Sequence, residues 1–177
     1  MYVLGYDCGT SSIKASLLEA ESGTVVAVAI SPEIEMPVIA EHSGWAEQHP
    51  QDWWDNVKKA TQKVLAKSGV DPVDVKAIGI SYQMHGLVLV DLQKQVLRPS
   101  IIWCDSRAVE IGNRAFEQIG PETCLRHLLN SPGNFTASKL KWVQDNEPAV
   151  YEKIHKAMLP GDYIAMMMTD QIKTTPS

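Results

Sequence analysis

The amino-acid sequence predicts an α/β fold: an antiparallel three-strand meander followed by helix-linked strands. Three observations predict it. Apolar runs at Tyr2-Val3-Leu4, Ile13 to Leu18 and Thr24 to Ile30 are separated by short stretches of turn chemistry. Pro50 opens a segment in which Trp53, Trp54, Val57, Ala60, Val64 and Leu65 recur at helical spacing, with Gly69 just past its end. Val75 to Tyr82 then reads as a further strand, apolar enough to be central and suited to lie parallel to the first.

The elements follow in order. Val3 to Tyr6 and Ile13 to Leu18 are strands joined by a tight turn, and Glu21-Ser22-Gly23 turns the chain into the third strand. Pro32 and Pro37 break regularity, and Val38 to Gln48 reads as an irregular connection. The double tryptophan of the first helix is expected to pack against the sheet. After the fourth long strand come short apolar pieces at Leu87 to Val90, Val96-Leu97 and Ser100 to Trp103. Asp105 or Ser106 is placed to cap a helix carrying Ala108, Ile111, Ala115 and Phe116. Glu122 to Leu129 and Thr136 to Asn146 read as helices, Glu147-Pro148 restarts one, Ile154 to Leu159 is strand-like, and Pro160-Gly161-Asp162 opens a last helix through Met168. Residues 173–177 are polar and expected to fray.

Composition narrows the function classes. With 177 residues, one domain is the default expectation, and 45% apolar and 21% charged residues are ordinary for a globular protein. A net charge of −5 argues against a nucleic-acid surface. Cys8, Cys104 and Cys124 have neither C-x-x-C spacing nor an even count, which points to a reducing, cytoplasmic setting. No apolar run has the length of a membrane span, and the first residues lack the basic start of a signal peptide, so no membrane partner is expected. His42, His49, His127 and His155 show no ligand spacing, and no zinc site is implied.

The chemistry concentrates in Leu4-Gly5-Tyr6-Asp7-Cys8-Gly9-Thr10-Ser11-Ser12. Gly9 is expected to take a positive φ and leave room for an anion. Backbone amides in such a turn make an anion-binding nest, and three consecutive hydroxyls add donors. Asp7, at the end of a strand, is placed to orient a hydrated Mg²⁺, which takes one or two carboxylates together with substrate phosphates. No G-x-x-x-x-G-K-[ST] occurs, so the clamp is not a P-loop. The same residues would also suit an ordinary hairpin turn.

Four stretches together resemble one family. Val3 to Ser12 resembles the first phosphate turn of the actin-like ATPase superfamily, whose domains are ribonuclease-H-like. Gln83-Met84-His85-Gly86 is similar to the sugar loop of xylulokinases, within the FGGY carbohydrate kinases. Ile101-Ile102-Trp103-Cys104-Asp105-Ser106-Arg107 matches the W-x-D-x-R stretch of that family, and Phe135-Thr136-Ala137-Ser138-Lys139-Leu140-Lys141-Trp142 its F-T-x-x-K-L-x-W marker. Gly44-Trp45-Ala46-Glu47-Gln48 fits the same pattern, while Asn134 stands where a small residue often precedes the F-T pair.

The resemblance implies a partial N-terminal kinase domain over residues 1–177, truncated before its end, with the second domain and the catalytic base beyond Ser177. The implied reaction moves the γ-phosphoryl group of ATP to the 5-hydroxyl of D-xylulose or a related ketose. Asp7 would orient Mg²⁺ through water, and Gly9, Thr10, Ser11 and Ser12 would hold phosphates, with Lys14 adding positive charge. Gln83, Met84, His85 and Gly86 would form the sugar loop, Trp103 an apolar wall, and Asp105 and Arg107 polar contacts. The alternatives are a non-catalytic sugar- or phosphate-binding module, a kinase for a different ketose or polyol, and a nuclease of the same fold, disfavoured because Gln83-Met84-His85 stands where an acid is needed. The apolar face left by missing elements would favour a homodimer.

Overall fold

The computed structural model describes residues 1–174. Of the polar end expected to fray, Thr175, Pro176 and Ser177 lie outside the described residues. The chain packs into two compact units. The first comprises residues 1–37, 51–83 and the chain from Pro160 onward. The second comprises Val38–Pro50 and Met84–Leu159.

In the first unit, β1 (Tyr2–Cys8), β2 (Ile13–Glu19) and β3 (Val25–Ser31) form the expected antiparallel meander. Helix α1 (Pro50–Ser68) follows in sequence order, and β5 (Val75–Tyr82) pairs parallel to β1. The sheet order is β3-β2-β1-β5. Alternation places Leu4, Tyr6, Cys8, Ile13, Ala15, Leu17 and Ala27 in the core, with Trp53, Val57, Ala60 and Val64 of α1 buried as well. The Tyr6 hydroxyl meets Thr61 Oγ1 at 2.5 Å, and Ser31 Oγ donates to Asn56 Oδ1 at 2.8 Å, tying helix to sheet. Helix α6 (Pro160–Thr169) packs on β5, where Gly161 lies against the Tyr82 ring.

One expectation fails here. Strand β5 is at the edge of this sheet rather than central. Its apolar content reflects which side chains pack, whereas an edge or central place depends on which strands are present to pair with it. Residues 76–79 are exposed.

The second unit holds short strand pairs. β4 (Glu47–Gln48) pairs with β7 (Ser100–Ile101), and β6 (Val88–Val90) with β8 (Lys156–Met158), all antiparallel. Val38 to Gln48 is thus not wholly irregular, since Ile39 also bridges to Glu47. Leu87, Leu89, Ile101 and Val143 form a buried cluster joined by Leu97, Leu140 and Trp142. Helices α2 (Val109–Ile119), α3 (Pro121–Leu128), α4 (Thr136–Asn146) and α5 (Pro148–Tyr151) complete the unit. The residue capping α2 is Ala108, without a side-chain bond, so neither Asp105 nor Ser106 has the capping role expected of it. No described helix is long and apolar enough to cross a membrane.

Candidate functional site

In the first unit, the β1–β2 turn is closed by the Gly9 amide donating to the Ser12 carbonyl at 3.1 Å. The Met36 amide donates to the Ser11 carbonyl at 2.8 Å and supports the turn from outside. Two expectations are corrected. Gly9 does not have a positive φ, and its N–H is spent within the turn rather than offered to an anion. Glycine is still favoured there, because a Cβ would come within 3.3 Å of the Ser12 carbonyl.

Asp7 and Lys14 are cross-strand partners, their side chains about half exposed and their charges 3.4 Å apart. An exposed pair of this kind is worth little and yields readily to another ion. Ser11 is exposed, while Thr10 and Ser12 are half-buried. Thr10 Oγ1 donates to Gln83 Oε1 at 3.5 Å, and the Gln83 amide donates to the Cys8 carbonyl at 3.1 Å, so the end of β5 is fastened to the end of β1. Burial, and then the Asp7 charge, push the Cys8 thiol up to about 12, so it is no nucleophile. Among the described residues no group of three or more His, Cys, Asp or Glu has metal-holding geometry. One accessible carboxylate beside hydroxyls fits a hydrated Mg²⁺ held through water and phosphate oxygens, not a cage of protein ligands.

The second stretch is built in the second unit. His85 has φ 59°, a left-handed conformation rare outside glycine, so something must hold it. Lys139 Nζ donates to the His85 carbonyl at 2.8 Å, and Thr136 Oγ1 donates to the Gly86 carbonyl at 3.4 Å. The His85 ring stacks on Phe135, with centroids 4.6 Å apart. Burial first, and the Lys139 charge second, lower the His85 pKa. The imidazole is therefore neutral near pH 7, with one nitrogen to donate and one to accept. Met84 and Trp103 are 63% and 46% exposed, and Asn134 Nδ2 donates to the Trp103 carbonyl. The Asn134 departure noted in the sequence thus has a job: it fixes the backbone of the Trp103 loop.

Asp105 and Arg107 are corrected. Both side chains are at most 1% exposed and bind each other. Arg107 Nε lies 3.0 Å from both Asp105 oxygens, and the Ala46 amide donates to Asp105 Oδ2 at 2.6 Å. Arg107 Nη1 is 2.6 Å from Glu47 Oε1 but out of hydrogen-bond alignment, so that contact is ionic. The guanidinium is flanked by Trp45, 3.8 Å from that ring centre, and by Trp142 at 4.9 Å. Arg98 joins Glu47 to Glu147. This network is a scaffold, and the fully buried Asp105 carboxylate within it has no face left for a hydroxyl ligand.

Sequence reasoning gave Phe135, Thr136 and Lys139 no role beyond a family marker. A signal existed: Lys139 lies on the stripe of α4 that includes buried Val143 one turn later, a position for an apolar residue. His42, His49, His127 and His155 are all exposed, away from any ligand cluster among the described residues.

The comparisons with known proteins agree with this geometry. Residues 2–177 match the FGGY family of carbohydrate kinases, N-terminal domain. A xylulose kinase of Escherichia coli strain K12 is 38% identical over 177 residues, covering all of this chain but 35% of that protein. One of Bacillus subtilis strain 168 is 37% identical over 98% of this chain and 34% of its own length. A solved structure described as a xyloylose kinase from Brucella ovis superposes with a TM-score of 0.83 at 34% identity, over 94% of this chain and 34% of the other. The chain spans about a third of the length of the relatives it matches. Meander, helix and parallel strand are accordingly the ribonuclease-H-like architecture of the actin-like ATPases, and the chain belongs to the FGGY family of carbohydrate kinases.

Proposed function

We propose that the chain supplies the phosphate turn and the sugar loop of a xylulokinase, which moves the ATP γ-phosphoryl group to the 5-hydroxyl of D-xylulose. The observation that carries this is the pinned left-handed His85 turn, whose imidazole stacks on Phe135, next in the chain to the Asn134 that holds the Trp103 carbonyl, while Met84 and Trp103 stay exposed. His85 hydrogen-bonds a sugar hydroxyl, and Trp103 offers its face to sugar C–H groups. Asp7 would hold Mg²⁺ through water, and the Ser11 and Ser12 hydroxyls donate to phosphate oxygens, joined by Thr10 when its hydroxyl turns from the long 3.5 Å contact with Gln83. Bound there, Mg²⁺ would neutralise phosphate charge. Lys14 leaves Asp7 for the phosphates. The setting is cytoplasmic, and the isolated chain forms a homodimer.

Chemical-shift mapping tests both halves. D-xylulose should perturb Met84, His85 and Trp103, and Mg²⁺ with ATP should perturb Asp7 and residues 10–12. Sugar that moves none of the three overturns the assignment. The resemblance puts the proton acceptor outside residues 1–177, and a general base alone is worth about 10²–10⁴-fold. ADP release from the chain with ATP, Mg²⁺ and D-xylulose should therefore fall at least about 10²-fold below an ordinary kinase rate. Turnover at such a rate would refute that placement of the base.

A further inference from the structure

The N-terminal turn of α4 grips the His85 turn at three points. The Lys139 ammonium takes the His85 carbonyl, Thr136 takes the Gly86 carbonyl, and Phe135 stacks on the imidazole. Phe135 and Lys139 are one helical turn apart and so share a face of the helix start. Lys139 is fully buried, and no carboxylate forms a salt bridge with it among the described residues. A buried ammonium without an ion pair is costly, so a structural contact alone would be better served by a neutral donor. We propose that Lys139 is a positioning residue whose charge holds the His85 backbone in its left-handed turn and thereby fixes the imidazole on Phe135, the orientation in which His85 meets the sugar. The last clause rests on the xylulokinase reading; the positioning itself does not.

Burial pulls the Lys139 pKa down to about 8, with Asp105 and Cys104 acting against that and Arg107 with it. Raising the pH through that value therefore removes the charge from the folded chain. The unfolded chain keeps it until about 10.4. Burial and the Lys139 charge move the His85 pKa down from the ordinary histidine value, away from that of Lys139, so the two events separate.

The experiment is NMR of the labelled 177-residue chain, with Cys104→Ser as background to remove the thiol whose charge acts on the ammonium. The His85 ring and Gly86 amide signals should shift in a step near pH 8. Lys139→Met should abolish the step and displace the His85 ring protons from their stacked position, and Lys139→Arg should restore that position. Absence of the step in the parent chain, or His85 signals unchanged in a folded Lys139→Met variant, overturns the proposal, and the first of these needs no variant to fold. D-xylulose added to the parent chain judges the other reading separately. If the sugar leaves His85 unmoved while the step persists, the sugar role fails and the positioning role stands.

Discussion

At the scale of single residues, the sharpest contrast is between carboxylates that look alike in sequence. Asp7 ends a strand at an open turn and stays half exposed, whereas Asp105 lies under Ala46 and Arg107 with no exposed oxygen. Both belong to family motifs, and motif membership does not tell presentation from burial. The signal that separates them is Arg107 two residues on, backed by Glu47 and Trp45 from a distant stretch, a pairing that only the fold brings together. Removing the guanidinium strands Asp105 and part of Glu47. Arg107→Met should therefore cost about 3–5 kcal/mol in urea unfolding, as expected when one partner of a buried pair is lost. Adding Asp105→Leu to it should recover part of that loss, and a double variant less stable than the single one would show that the pair is not the origin. The thiols give a second contrast. Cys104 is exposed, while Cys8 and Cys124 are buried. A disulfide reagent should titrate one thiol quickly in the native chain and the other two only after denaturation. Rapid reaction of Cys8 would contradict its burial at the β1 terminus.

At the scale of elements, most of the fold was legible because apolar spacing records which faces are covered. The meander, α1, β5, α4 and α6 all lie where the pattern of apolar, proline and turn residues puts them. Apolar content locates β5 along the chain but not within the sheet, since alternation carries no information about lateral neighbours. The α2 cap differs from expectation for a related reason: Asp105 is engaged by Arg107, and Ala108 stands at the cap position. A contact no pattern announces is the approach of α2 to the turn at residues 132–134, where Gly112 meets the Gly133 backbone. A Cβ at Gly112 would overlap backbone atoms that have no rotamer to change. Gly112→Ala should destabilise the chain by about 1–3 kcal/mol, despite alanine's better helix propensity. A thermal midpoint unchanged or raised would mean that the turn yields freely.

At the scale of the whole molecule, the two edges of the first sheet are treated differently. On the β3 side, Lys63 Nζ donates to the Ile30 carbonyl at 3.2 Å and Lys67 Nζ to the Val28 carbonyl at 3.3 Å, so α1 covers that edge with charge. On the β5 side, Lys173 and Thr174 line a cavity with Ile78, Ile80 and Tyr82, and no hydrogen bond from a helix lysine to a β5 carbonyl is found among the described residues. The eight residues of β5 include one charge, Lys76, whose ammonium turns back to the Val73 carbonyl at 2.7 Å, and no proline. Ile78 is 51% exposed beside Trp54 and Met167. A long, weakly charged edge is a template for pairing, and two copies of β5 can meet antiparallel about a two-fold axis with each satisfying the other's amides. The 177-residue chain should therefore show a weight-average mass that rises with concentration in sedimentation. Ile78→Lys, placing a charge on that edge without entering the buried core, should return it to the mass of a single chain while its circular dichroism stays the same. A parent chain that remains monomeric throughout, or a variant that associates equally well, would remove β5 as the cause.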